Sequence, residues 1–297
     1  MRCSRCKAKA VSSSPALCKT HFIGYFEKKV ADTIKKYKLI SKNSSVCVAA
    51  SGGKDSTGVL CLVKKLVKPK RLLALAIDEG ILGYRENTLR DLRRFCVHHE
   101  IRLKIISFKQ EFGSTLDEII NSGRLNLKPC NVCGTLRRYL LNKHSKGFDC
   151  VVTGHNLDDE SQAIMMNLFR HQMDVLSRLG PAAGIPRKGF VQRVKPLYLC
   201  SEKESLLYSL LMGFKISFNE CPYVSSSYRA VLRDAINDYE SRHKGAKLNT
   251  VGHFLSVLPR LKKQFEHSSP ASCKVCGEPS AGDVCNACSL SMKIKSV

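Results

Sequence analysis

A chain of 297 residues with 43% hydrophobic content is long and apolar enough for one sizeable packed domain, so disorder is not its default state. No apolar run approaches the roughly 20 residues that cross a bilayer, and the first ten residues lack the apolar core of a secretion signal, so a cytoplasmic protein is expected. Its 49 Lys and Arg against 25 Asp and Glu give a formal charge of +24, spread along the whole chain. This favours a polyanionic partner such as nucleic acid over a membrane surface. The 15 cysteines fall largely in CxxC and CxxH pairs, which reads as metal ligation rather than a disulfide scaffold.

In chain order, the first element is Cys3-x2-Cys6-x11-Cys18-x2-His21, two close pairs with the spacing of a closed tetrahedral zinc site. A core of alternating strands and helices follows. Apolar runs at 46–50, 72–77, 103–108 and 151–153 read as buried parallel strands. Helical spacing recurs at 58–68, 86–99, 135–142 and 161–169. The alternation predicts an α/β fold, a doubly wound and mainly parallel sheet, with ligands at the carboxyl ends of its strands.

The first strand runs into Ser51-Gly52-Gly53-Lys54-Asp55-Ser56. Glycines that permit a sharp turn, free amides at a helix start, hydroxyls and a lysine together make an anion cradle. The loop matches neither the Walker A pattern nor GxGxxG. Asp78-Glu79-Gly80 after the second strand and Thr153-Gly154-His155-Asn156-Leu157-Asp158-Asp159-Glu160 after the fourth occupy equivalent strand ends. The paired acids can cap the following helix or, beside a nucleotide, hold Mg2+.

Between them, Cys130-Asn131-Val132-Cys133 opens a helix, with Arg137 on the same face at i, i+3, i+7 spacing. Structural zinc, a redox disulfide and an iron–sulfur cluster all remain open for this pair, the last needing a further cysteine. Cys221, in a turn-like Asn-Glu-Cys-Pro-Tyr context, is the best third ligand, whereas Cys47, Cys61 and Cys150 read as core. A loop is expected at 180–186. Basic loops at 170–195 and 228–247 offer Arg187, Lys188, Arg229, Arg233, Arg242 and Lys244 to a nucleic acid. A linker at 267–272 then leads to Cys273-x2-Cys276-x8-Cys285-x2-Cys288, a second zinc-type set. The expected domains are 1–24 (zinc finger), 25–265 (catalytic core) and 266–297 (zinc finger and tail).

SGGKDS resembles the PP-loop of the N-type ATP pyrophosphatase superfamily. Taken in order, CxxC…CxxH, SGGKDS, PCxxCGxxRR, TGHNxDDE, the RVKPL of 193–197, the Cys-Pro at 221 and the terminal CxxC…CxxC resemble the tRNA 2-thiouridine synthetases of the TtuA/NcsA type, relatives of TtcA. That resemblance covers almost the whole chain. It implies ATP bound at Ser51, Gly52, Gly53, Lys54, Asp55 and Ser56, with Asp78, Arg137, Gly154 and Asp159 lining the site. It also implies a 4Fe-4S cluster on Cys130, Cys133 and Cys221 that leaves one iron free to carry sulfide.

The implied reaction is adenylation of a uridine 2-carbonyl, then displacement of AMP by sulfur arriving as sulfide or as a cysteine persulfide. The implied accessories are Mg2+, two Zn2+, a homodimer and a ubiquitin-like sulfur carrier. Arg137 stands where some relatives carry Lys, which favours a phosphate contact. One branch of the family thiolates the wobble uridine and another the T-loop uridine at high temperature. A chain rich in Cys and Ser and poor in Asp and Glu fits the wobble branch. A different PP-loop tRNA modifier, or a zinc-ribbon RNA-binding protein without activity, are the alternatives.

Overall fold

The computed structural model describes residues 1–123, 127–184, 191–217, 219–224, 228–265, 271–280 and 282–295. Its sheet is built from β1 (Val46–Ala49), β2 (Leu72–Asp78), β3 (Arg102–Ser107), β4 (Cys150–Val152), β5 (Ala182–Ala183) and β6 (Gln192–Val194), in the spatial order β3-β2-β1-β4-β6-β5. All neighbours are parallel except β5, which runs antiparallel to β6. Val46 lies opposite Leu72 on one side and Cys150 on the other, so β1 is the central strand.

Side-chain alternation explains why the inner strands read as continuous apolar runs. Val46 and Val48, Leu72, Ala74 and Ala76, and Cys150 and Val152 face one helical layer. Cys47, Leu73, Leu75, Ile77 and Val151 face the other. The strand at 103–108, expected to be buried, is instead an edge strand with Arg102 and Lys104 exposed, because nothing pairs beyond it among the described residues.

The helices, in chain order, are α1 (Lys19–Lys36), α2 (Lys54–Lys64), α3 (Arg85–His98), α4 (Phe108–Phe112), α5 (Leu116–Asn121), α6 (Pro129–His144), α7 (Leu157–Phe169), α8 (Met173–Leu176), α9 (Glu202–Leu211), α10 (Tyr228–Arg242), α11 (Ala246–Gln264) and α12 (Asn286–Lys295). α1, α2, α3 and α9 cover one face of the sheet. α4, α5, α6 and α12 cover the other. α7, α8 and α11 form a third cluster around Tyr198 and Phe254.

The terminal segments are part of these layers. Cys3, Leu17 and Cys18 sit in the α1 layer, and Ala287 and Leu290 sit against α6. A short ribbon, β7 (Ala271–Ser272) with β8 (Pro279–Ser280), frames the last cysteine set. The expected linker therefore ends before 271, and residues 266–270 lie outside the described set. The loop expected at 180–186 contains β5. The basic loop expected at 228–247 is mostly α10, with Arg242 paired to Asp238 one turn earlier. Among the described residues, no helix is long and apolar enough to cross a membrane.

Candidate active site

The strand order places the ends of β1 and β4 side by side, with chain connections leaving in opposite directions. That is the switch-point crevice where α/β sheets bind ligands. The SGGKDS loop closes the β1 side. Gly52 has φ +85°, and a Cβ there would lie 2.3 Å from the Thr88 carbonyl oxygen, so only glycine fits. α2 begins at Lys54, inside the motif and four residues before the sequence expectation. Its N-cap, Gly53, receives no side-chain cap, which leaves first-turn amides facing the crevice. Ser56 Oγ accepts from the Ser51 amide at 3.1 Å and donates to the Gly53 carbonyl at 3.1 Å, pinning the turn. Lys54 Nζ bonds Asp55 Oδ2 at 2.9 Å and Glu202 Oε1 at 2.8 Å, and these carboxylates hold its ammonium well above the usual range despite partial desolvation.

The β4 side supplies Gly154, whose Cβ position is 2.8 Å from the Ser56 amide nitrogen, so the two loops touch backbone to backbone. Asn156 caps α7 and its amide also donates to Asp55 Oδ1 at 3.3 Å. The paired acids divide. Asp158 is buried, ion-paired with Lys247 and accepting the Glu202 amide at 2.7 Å. Asp159 completes the capping box and turns to the crevice, 3.4 Å from Arg229. Desolvation raises the Asp159 carboxyl to about 6, with Asp55 and Glu160 adding to the rise. His155 reaches water, yet its crowded position and the cations Lys195, Arg229, Arg137 and Arg193 hold its imidazole neutral. Asp78 accepts the Gly80 amide at 3.0 Å and shapes the turn at the end of β2.

Glu79, 4% exposed, sits between the loop and the thiols. Arg85 Nε lies 2.8 Å from Glu79 Oε2 but directs its protons to the Ile77, Ser51 and Thr88 oxygens, so Oε2 is held by charge and has no hydrogen-bond partner. On its other side, Glu79 Oε1 is 3.5 Å from Arg137 Nη1. Arg137 stands one turn after Cys133 on α6, so the two feel each other's charge along the same helix face. Cys130 and Cys133 lie in the first two turns of α6, which starts at Pro129, so the CxxC opens the helix as expected and the apolar pattern at 135–142 is its continuation. Cys130 Sγ is 3.6 Å from the Tyr223 carbonyl, which brings the Cys221 turn over the α6 N-terminus. That turn is fastened by Tyr223 Oη donating to Asp117 Oδ1 at 2.7 Å. Desolvation pushes Cys133 up to about 11 and raises Cys221 as well.

At the chain ends, Cys3, Cys6, Cys18 and His21 bring their ligand atoms within 4.8 Å of one another, and so do Cys273, Cys276, Cys285 and Cys288. In both sets the first cysteine amide donates to a carbonyl five residues on, and its own carbonyl accepts from the amide four residues on. The residue donating that amide is left-handed in both, Lys7 at φ 60° and Gly277 at φ 71°. The two sets, which look unlike in spacing, are therefore the same knuckle. Cys3 is drawn down to about 6 although desolvation opposes it, since the Arg5 and Cys18 backbones stabilise its thiolate. Cys273 also falls to about 6, led by the Cys285 amide.

Cys47, Cys61 and Cys150 are buried in the core, as are Cys96 and Cys200. Among the basic candidates, Arg229 faces the crevice, while Arg233 and Arg242 are paired with Glu220 and Asp238. Arg187 and Lys188 lie outside the described residues. Sequence reasoning missed Arg85, Asp117, Glu202 and Lys247. Each acts through a partner distant in sequence, and only the Asp-Glu-Gly after β2 hinted at a buried acid there.

A PP-loop domain family matches residues 24–239. The tRNA-5-methyluridine(54) 2-sulfurtransferase of Pyrococcus horikoshii is 34% identical over 97% of this chain and 93% of its own length. The cytoplasmic tRNA 2-thiolation protein 1 of Danio rerio is 33% identical over 98% of this chain and 87% of its own length. The U34-tRNA thiolase NcsA of Methanococcus maripaludis, solved with its [4Fe-4S] cluster, superposes with a TM-score of 0.83. It shares 32% identity, covering 100% of this chain and 97% of that one.

Proposed function

The chain belongs to the PP-loop family of tRNA 2-thiolation sulfurtransferases, and on that premise we propose that it converts a tRNA uridine, at the wobble position, to 2-thiouridine with ATP. The observation that carries this reading is the juxtaposition of the SGGKDS loop and the three thiols on either side of one buried carboxylate, Glu79. ATP phosphates would take the free first-turn amides of α2 and the Lys54 ammonium, displacing Glu202. Asp159, whose protonation the neighbouring Asp55 charge favours, and Asp55 itself suit a Mg2+ ion between them.

The uridine 2-carbonyl oxygen attacks the α-phosphorus and pyrophosphate leaves. A sulfur nucleophile then adds at C2, and the C2–O bond breaks with AMP departing. Adenylation is needed because the carbonyl oxygen is otherwise a poor leaving group. Arg137, beside both Glu79 and Cys133, is placed to hold the α-phosphate between the two half-reactions. Three thiols around one crevice fit a 4Fe-4S cluster held by Cys130, Cys133 and Cys221, which when bound supplies an iron free of protein ligands at which sulfur is activated. The ligand sets at the two ends fit two structural Zn2+ ions. A ubiquitin-like sulfur carrier, a homodimer and a cytoplasmic site of action complete the proposal by kinship.

Anaerobically purified protein, incubated with ATP, sulfide and unmodified tRNA, should yield 2-thiouridine by nucleoside mass spectrometry, located at position 34 by fragment mapping. Product at the T-loop instead would overturn the wobble assignment. A colourless, iron-free preparation that still thiolates would overturn the cluster.

A further inference from the structure

We infer that the outer face of α3, bearing Arg90, Arg93 and Arg94, is the surface on which the tRNA sugar–phosphate backbone docks, and that α3 transmits that docking to the ATP loop. The inference rests on the tRNA-thiolation reading and extends it to where the substrate's body sits.

The pattern on α3 separates two faces. Arg85, Thr88, Leu89, Leu92 and Cys96 are buried against the sheet, whereas Arg90, Arg93 and Arg94 are exposed at i, i+3, i+4 spacing and so share one face. The ordinary explanation of an exposed arginine is a solvated surface ion pair. That explanation holds for Arg178, Arg233 and Arg242, which each pair with an acid on their own helix or beside it, whereas Arg102 and Arg260 are exposed singly. No carboxylate among the described residues pairs with the three α3 arginines. The nearest acid on that helix, Asp91, is turned to the 214–217 segment, where it accepts from both the amide and the hydroxyl of Ser217. The segment it fastens carries exposed Lys215, which adds a cation beside the stripe, and Phe214 packs edge-on against Phe95 of α3.

Three features favour RNA over an acidic protein. The cations are arginines, whose planar forks match phosphate oxygens, and they follow one another along a helix rather than ringing an apolar centre. Within the strip the described residues offer a single exposed aliphatic side chain, Val97, and no exposed aromatic, less apolar surface than the centre of a protein interface needs. It also extends away from the crevice, as a long polyanion requires if one of its uridines is to reach the ATP loop.

The coupling is built in at the other end of α3. Arg85 in its first turn donates to the Ser51 carbonyl, and the Thr88 carbonyl is pressed against Gly52. The helix that carries the stripe is thus keyed to the loop that holds ATP, and its arginines stand at a fixed offset from the reacting phosphate.

The test uses the full-length protein, purified anaerobically, with two variants: Arg90→Glu/Arg93→Glu/Arg94→Glu and the charge-keeping Arg90→Lys/Arg93→Lys/Arg94→Lys. The glutamate variant should bind unmodified tRNA at least about 100-fold more weakly in moderate salt, with the slope of log K against log salt reduced by about 2 to 3, one for each lost phosphate contact. The lysine variant should recover most of the affinity. Circular dichroism and affinity for ATP alone should match wild type in both, which separates lost docking from lost folding. Unchanged tRNA affinity and salt slope in the glutamate variant would refute the inference while leaving the thiolation reading intact. Wild-type tRNA binding with impaired transfer only from a protein sulfur carrier would also refute it, assigning the stripe to an acidic protein. Failure of the wild-type protein itself to bind or thiolate tRNA would instead remove the reading on which the inference stands.

Discussion

At the two ends of the chain, four ligand atoms already lie within 4.8 Å of one another, and backbone amides point at Sγ of Cys3 and Cys273. In the crevice, the three thiols come from α6 and a turn some 90 residues later, meet in no such tight group, and include two that resist ionisation. The roles proposed for the two kinds of site account for the difference. A structural ion replaces core that a short segment lacks, so the local chain presents every ligand and closes the shell. A reactive centre keeps a position open, and its ligands are held by the tertiary fold at a cost in desolvation that only bound metal offsets.

The sharpest way to break this contrast is Cys133→Ser. Removing one of three ligands should abolish the visible chromophore and lower thiolation by at least about 100-fold. The melting temperature should move by only a few degrees, since a half-buried thiol and hydroxyl differ little in volume. Retained colour and activity would show that the three thiols do not act as one set.

The mirror experiment is Cys273→Ser. Here one equivalent of zinc should be lost by elemental analysis and the knuckle should open, exposing the face of α6 that Ala287 and Leu290 cover. Loss of those two contacts and the ion should lower the melting temperature by several degrees, on the order of 2 to 4 kcal/mol. The chromophore should remain, and turnover at low temperature should fall less than tenfold. A variant that bleaches would mean that the terminal set and the crevice are one functional unit.

The same contrast governs what could be read before any coordinates. The convergence of each terminal set was legible because all four of its Cys or His residues lie within 19 residues, in close pairs of the spacing metal ligands take. The central strands were legible because two-sided burial leaves unbroken apolar runs, and the SGGKDS loop because its chemistry is local. β3 misled because an edge strand can carry apolar residues without being buried. The crevice itself resisted: Cys221 joined Cys130 and Cys133 through resemblance rather than spacing. Arg85 and Glu202 act on the loop from 34 and 148 residues away, and a one-dimensional pattern does not encode such contacts. The kinship of the two knuckles also surfaced only in their hydrogen bonds, since Lys7 occupies the left-handed position that glycine takes in the second.

A third measurement asks whether the crevice is incomplete at its phosphate end too. Lys54 is held by Asp55 and Glu202, partners that ATP must replace. Lys54→Ala should weaken ATP binding by about 10- to 100-fold, the worth of a charged hydrogen bond. Glu202→Gln should tighten it by a few-fold, because the lysine is then released from a competitor. Weaker ATP binding in Glu202→Gln would mean that the glutamate supports the loop rather than occupying the place of a phosphate.

The smallest effect concerns how the N-terminal knuckle is tied to the core. α1, which carries His21, docks on α9 through Lys29 and Tyr25, both bonded to Glu204 at 2.8 and 2.9 Å. Desolvation opposes ionisation of Glu204, but Lys29 outweighs it and holds the carboxyl below the usual carboxylate range. An acid whose folded pKa is depressed contributes stability that is complete above the unfolded value and is lost as pH falls through the folded one. For this half-buried pair the contribution is on the order of 1 kcal/mol. Acid also strips metal from thiolates and histidine, which would hide so small a term in wild type alone. The difference between wild type and Glu204→Gln cancels that loss, because both proteins carry the same knuckle. The melting-temperature gap between them should be a few degrees at neutral pH and should close as pH drops below about 4.5. A gap that persists unchanged at pH 3 would mean that Glu204 holds α1 by packing rather than by charge.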